Sequence, residues 1–153
     1  MQLEPGAKAP AFTRQDHTGT PVSNTDFSGK KTVIYFYPKA FTPGCTAESC
    51  DFRDNYRAFQ AAGYEILGVS PDSAEKLEAF RTEHELPFPL LSDVDHSMAE
   101  AFGAWGLKKN YGKEYEGIIR STFTIDEDGR IVHAWYNVRA KGHAARVASE
   151  VLG

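Results

Sequence analysis

Two cysteines occur in this chain, and both fall in the stretch FTPGCTAESC, as Cys45 and Cys50. Their spacing is not the C-x-x-C of a dithiol centre, and no second pair of ligands accompanies it as a zinc site would need. His17, His84, His96, His133 and His143 are scattered and show no ligand spacing. What the stretch does supply is a helix start. Thr42 suits the N-cap and Pro43 the first helical position, which puts Cys45 in the first turn. Backbone N–H groups without acceptors point outward there, and the helix dipole adds partial positive charge. A thiolate is favoured at such a place, and the thiolate is the nucleophilic form of cysteine. The same N–H groups can hydrogen-bond an oxygen bound next to the sulfur.

Cys50 adds a geometric condition. On one intact helix, five residues give about 7.5 Å of rise and about 140° of rotation, so the two Cα atoms stand about 8.6 Å apart. A disulfide needs them within about 7 Å. Bond formation between Cys45 and Cys50 therefore requires the first turns to unwind, which points to a switch between a folded dithiol and a locally unfolded disulfide. Cys50 also reads as a small core residue, since free cysteines are often buried. For Cys45 that reading is weaker, because the Pro-Gly turn before it exposes the position.

The elements that position this stretch follow from periodicity and turn signals. RQDHTGTPVS, with a turn at Thr18-Gly19, reads as a short N-terminal hairpin. KTVIYFYP, residues 31–38, is apolar without alternation and suits a central strand buried on both faces. A helix runs from Pro43 to Ala62 and stops at Gly63. YEILGVS is a second core strand, and the helix after it carries Asp72 and Glu75 at capping-box spacing, with Ala74, Leu77 and Phe80 on one face. FPLLSD gives a short strand and DHSMAEAFG a short helix ended by Gly103. STFTIDEDGRIVHAWY gives two strands about a turn at Asp128-Gly129, and GHAARVASEVL a closing helix. The order β, α, β, α, β, α, β-β, α predicts an α/β chain with a mixed central sheet flanked by helices, the plan of a thioredoxin-like fold. Residues 1–153 read as a single domain, without repeat or linker.

The totals exclude several classes. Lys plus Arg is 17 and Asp plus Glu is 21, a net charge of 17 − 21 = −4. That balance gives no electrostatic reason to bind nucleic acid or an anionic membrane. The longest apolar run, VIYFY, is too short to cross a bilayer, and the start MQLEPGAKAP lacks the layout of a signal peptide. A cytoplasmic, reducing compartment is the expectation, where cysteines are seldom structural staples.

The segment YFYPKAFTPGCTAESCDFRDNY resembles the active-site segment of peroxiredoxins, and within them the bacterioferritin-comigratory, or peroxiredoxin Q, subgroup. The motif P-x-x-x-[TS]-x-x-C is met by Pro38, Thr42 and Cys45, and a resolving cysteine five residues on by Cys50. The likeness continues through LPFPLLSD, KKNYGKEYEGIIRSTFTID and VRAKGHAARVASEVL, so it spans most of the chain. The resemblance implies a thiol peroxidase for hydrogen peroxide and organic hydroperoxides, serving antioxidant defence. Cys45 attacks the O–O bond, and the backbone of Gly44 and Cys45 holds the peroxide. Thr42 offers its hydroxyl to thiolate and peroxide, Pro38 covers the site, and Arg120 is the second-site arginine. Cys50 forms the intramolecular disulfide, which thioredoxin or a glutaredoxin-like donor reduces. No metal or other cofactor is implied, and a monomer or weak dimer is expected. Beside these, Glu48 reads as a solvated helix-face carboxylate, Trp105 and Tyr111 as packing residues, and Phe41 as either an apolar rim or an inward-packed ring. Two other functions stay open on the residues alone: a copper carrier using Cys45, Cys50 and a histidine, and a redox sensor in which the disulfide signals.

Overall fold

The computed structural model describes residues 2–110 and 112–152. Its strands are β1 (Thr13–Asp16), β2 (Pro21–Ser23), β3 (Lys31–Phe36), β4 (Tyr64–Ser70), β5 (Leu90–Ser92), β6 (Trp105–Asn110), β7 (Lys113–Ile118), β8 (Ser121–Ile125) and β9 (Ile131–Trp135). Its helices are α1 (Pro43–Ala61), α2 (Ala74–Glu83), α3 (Ser97–Ala101) and α4 (His143–Leu152). Seven strands form one sheet in the order β2-β1-β5-β4-β3-β8-β9. The central β5-β4-β3 run is parallel, and the hairpins β1-β2 and β8-β9 extend it antiparallel at its two edges. This is the thioredoxin-like, mixed α/β arrangement that the element order predicts.

The unbroken apolar run of β3 has its reason in the layering. Val33 and Tyr35 face a core shared with α1, α2 and α4, while Ile34 and Phe36 face a second core that includes Met98, Phe102 and Phe123. A strand covered on both faces cannot alternate with polar residues. The strand ends at Phe36, two residues before the Pro38 end that the sequence suggests, although Tyr37 N–H still donates to Val69 O at 3.0 Å.

Helix α1 lies across this sheet with Cys45, Glu48, Ser49, Phe52 and Phe59 buried, a stripe at helical spacing. Tyr35 fixes its height. The ring stacks on Phe52 at 4.6 Å and its hydroxyl is hydrogen-bonded to Ser49 Oγ at 2.9 Å. Gly68 stands opposite Tyr35 in the β3–β4 register, and a Cβ there would come within 2.8 Å of the Tyr35 hydroxyl. Glycine is therefore what lets the tyrosine lie flat over the neighbouring strand.

Two local expectations are corrected, and one unforeseen element is added. Asp72 and Glu75 do not form a capping box for α2. Ser73 is the N-cap and accepts from Lys76 N–H at 3.3 Å. Asp72 instead accepts from Ala40 N–H at 2.7 Å and Ser70 Oγ at 2.8 Å, so its carboxylate ties down the loop that leads into α1. Second, Thr42 holds the N-cap backbone position of α1, but its hydroxyl donates to Lys39 O at 2.7 Å and makes no side-chain cap. The added element is the hairpin β6–β7, a separate two-stranded sheet that the sequence pattern does not announce. Trp105 begins it, stacked on His96 at 3.8 Å. Tyr111 lies outside the described residues. No helix among the described residues is long and apolar enough to cross a membrane.

Candidate active site

The first turn of α1 meets the end of β7 and the loop before α4. The first helical bond runs from Thr46 N–H to Thr42 O at 2.9 Å. Pro43 has no N–H, so the N–H groups of Gly44 and Cys45 lack an acceptor within the helix. The Pro-Gly turn does not expose Cys45, as the sequence suggests: the residue is 1 % exposed and packs in the same core as Tyr35, Tyr37 and Phe52, so it is the more deeply covered of the two cysteines. Cys50 is half-buried further along the same helix, and both thiols are free.

Arg120 follows β7 and reaches the sulfur. Its Nη2 donates to Cys45 Sγ at 3.2 Å, and its Nη1 donates to Glu48 Oε1 at 2.5 Å. The guanidinium also passes 3.5 Å from where a Gly44 Cβ would stand, so it lies directly over the open turn. Arginine suits this bridge because its planar fork addresses two acceptors at once and keeps its charge. Its pKa is raised further, since the pull of Glu48 and Cys45 outweighs burial.

Glu48 corrects the sequence reading. It is fully buried rather than solvated, facing Arg120 from one turn beyond Cys45. Burial pushes its carboxyl up to about 7, against the opposing pull of Arg120. Its Oε2 has no hydrogen-bond partner, so the arginine is its whole compensation among the described residues. Helical spacing carries the signal that could have found it: residues 45, 48, 49 and 52 form one stripe, and a carboxylate inside a buried stripe demands a cation.

The remaining predicted residues divide. Thr42, Gly44 and Cys45 share the turn that the Arg120 guanidinium reaches. Pro38 is half-buried after β3, in the loop held by Asp72. Cys50 sits with Arg53, and burial raises its thiol above the ordinary value while Arg53 lowers it. Phe41 is 41 % exposed at φ 67, with its ring edge-on to Phe80 at 5.2 Å. It therefore forms an exposed apolar surface next to α2 rather than a buried plug.

Lys108 of β6 carries no signal in the sequence. It is half-buried, and burial and the charge of Arg120 lower its pKa while Cys45 raises it. The hairpin thus brings a second cation toward the same thiol.

Comparison with known proteins adds an independent line. Residues 5–134 match the model of the AhpC/TSA family. The chain is 52 % identical over 145 residues to "Peroxiredoxin Bcp" of Bacillus subtilis, covering 95 % of this chain and 92 % of that protein. It is 46 % identical over 141 residues to "Peroxiredoxin Bcp" of Escherichia coli, covering 92 % and 90 %. A solved structure of the Xanthomonas campestris bacterioferritin comigratory protein, described for its alkyl peroxide reduction activity, superimposes with a TM-score of 0.89 at 38 % identity, over 96 % of both chains.

Proposed function

Because the chain belongs to the AhpC/TSA family and to its Bcp, or peroxiredoxin Q, branch, we propose that it is a thiol peroxidase working through Cys45 and Cys50. The Arg120 contact at 3.2 Å from Cys45 Sγ, on a helix turn with unpaired N–H groups, carries this reading. The guanidinium puts a permanent positive charge beside that sulfur. The thiolate attacks the terminal oxygen of a hydroperoxide. The S–O bond forms as the O–O bond breaks, and the departing oxygen leaves as alkoxide or hydroxide and takes a proton. Arg120 and the N–H groups of Gly44 and Cys45 favour the negative charge wherever it moves between sulfur and oxygen. Thr42 directs its proton to Lys39, which leaves its oxygen lone pairs able to accept the O–H of the incoming peroxide. Pro38 limits water access from the loop side.

Cys50 then attacks the sulfur of the Cys45 sulfenic acid. The new S–S bond releases the oxygen as water, with the Cys50 proton included. This diverts the sulfenic acid from irreversible oxidation. A dithiol donor of the thioredoxin or glutaredoxin kind returns both thiols. Hydrogen peroxide and alkyl hydroperoxides are the proposed substrates, the latter supported by the activity described for the Xanthomonas relative.

Stopped-flow mixing of reduced protein with one equivalent of hydrogen peroxide, with a parallel thiol count, tests the assignment. Both thiols should disappear in two successive phases. Cys45→Ser should abolish turnover, and Cys50→Ser should consume about one equivalent and stall. Thiols that survive, or decay at the slow rate of an ordinary exposed cysteine, overturn the reading.

A further inference from the structure

The loop between β9 and α4 and the first turns of α4 enclose an open depression of about 670 Å³. Three exposed cations line it, Arg139, Lys141 and Arg146, and no carboxylate does. None of the three has a carboxylate partner within 4 Å among the described residues. Glu150, the one carboxylate of α4, is engaged by Trp135 Nε1 at 3.0 Å. In a chain of net charge −4 this face is a local reversal of sign.

Its place in the fold gives the reversal a use. Ala140 lies between Arg139 and Lys141, and its Cβ is 3.6 Å from where a Gly44 Cβ would stand. Val138 N–H donates to Arg120 O at 3.0 Å. The basic loop is therefore packed against the turn that carries Cys45 and against the arginine that contacts it. Cations that stand beside the turn carrying a reactive sulfur, without contacting it, are suited to steering a negatively charged partner toward it. All three are exposed and spread over the loop and the helix start, which fits a broad acidic face better than one small oxyanion.

We propose that this basic face is the docking surface of the dithiol protein that reduces the Cys45–Cys50 disulfide, and that this partner brings carboxylates around its reactive thiol to meet Arg139, Lys141 and Arg146. The inference rests on the peroxidase reading above. One thiolate of the donor attacks a sulfur of the disulfide, whose S–S bond breaks, and the other sulfur departs as a thiolate that takes up a proton. The second donor thiolate then attacks the mixed disulfide. The chain leaves reduced at both cysteines, and the donor leaves oxidised by two electrons.

The test compares wild type with the double variant Arg139→Glu, Lys141→Glu and with Arg146→Glu. Peroxide-driven turnover is measured with thioredoxin as donor at several salt concentrations, and with dithiothreitol in its place. The expected result is a rise of about tenfold in the KM for thioredoxin in the double variant, with the salt dependence of wild type flattened. Turnover with dithiothreitol and the initial loss of thiols to peroxide should not change. Equal KM values and salt dependence in all three proteins overturn the proposal, as does a wild type that dithiothreitol reduces and thioredoxin does not. Slowed thiol loss in the variants also overturns it, because the charges then act on the peroxide step. If wild type shows no thiol loss to peroxide, the peroxidase reading itself fails and the docking proposal falls with it.

Discussion

At the scale of single residues, the site is a chain of three side chains in which the middle member has two duties. Arg120 compensates the buried Glu48 and contacts the Cys45 sulfur with the other arm of its fork. A lysine has one compact ammonium and cannot span both acceptors. Arg120→Lys should therefore lower the second-order rate of thiol loss to peroxide by about a hundredfold, the range found when one donor to a developing charge is removed. It should leave that rate proportional to peroxide concentration. A rate within about threefold of wild type would mean the guanidinium only packs, since a lost donor costs far more. Cys45, Thr42 and Arg120 are legible in the sequence because a short motif and a family resemblance single them out. Glu48 is only half legible: helical spacing puts it on one stripe with Cys45, Ser49 and Phe52, but the sequence does not show that this stripe is the covered side of the helix. Lys108 is hidden for a related reason: it is brought near by a hairpin whose second strand is largely exposed and carries no clean alternation.

Among the elements, α1 matters most, and its two requirements conflict. On the proposed mechanism, reaction with peroxide needs an intact first turn, so that the N–H groups of Gly44 and Cys45 converge. Disulfide formation needs Cys45 and Cys50 closer than a helix allows, about 8.6 Å against a limit of about 7 Å. Both cysteines do lie on one continuous helix as free thiols. The loop before it is restrained from one side by the bond of Ala40 N–H to Asp72, and is strained at Phe41, a non-glycine residue with φ 67. Oxidation to the disulfide should therefore cost about two turns of helical signal in far-ultraviolet circular dichroism, confined to residues 43–51, and reduction should restore it. An oxidised form with unchanged helix content would count against the switch. The strands and long helices are readable from the sequence because burial on both faces and clear start and stop residues leave strong patterns. The α2 cap is ambiguous there because Asp72 and Ser73 are both good caps, and only the tertiary contact with Ala40 decides which is free to cap.

For the molecule as a whole, the fold buries two titratable groups whose effects on stability have opposite sign. Glu48 on α1 is raised from 4.5 to about 7 by burial. His143 at the start of α4 is lowered from 6.5 to about 4, again chiefly by burial, with Arg146 and Arg120 adding to it. His143 is 2 % exposed, shares a hydrogen bond of 2.8 Å with Thr122 Oγ1, and leaves Nδ1 without a partner. Stability rises with pH wherever the unfolded chain holds more protons than the native one, and falls where it holds fewer. Between about pH 4.5 and 7 the native state keeps the Glu48 proton that the unfolded chain has lost, so this group's contribution falls as pH rises. Between about pH 4 and 6.5 the unfolded chain holds a His143 proton that the native state refuses, so this contribution rises with pH. The windows overlap, and the two slopes oppose each other across them. Glu48→Gln removes one slope and His143→Gln the other. Urea unfolding midpoints measured from about pH 4 to 7.5 should therefore diverge from wild type in opposite directions. On acidification the Glu48 variant should lose stability more steeply than wild type, and the His143 variant less steeply. Three parallel profiles would mean that neither group keeps its native-state charge suppressed, and that water reaches both buried side chains.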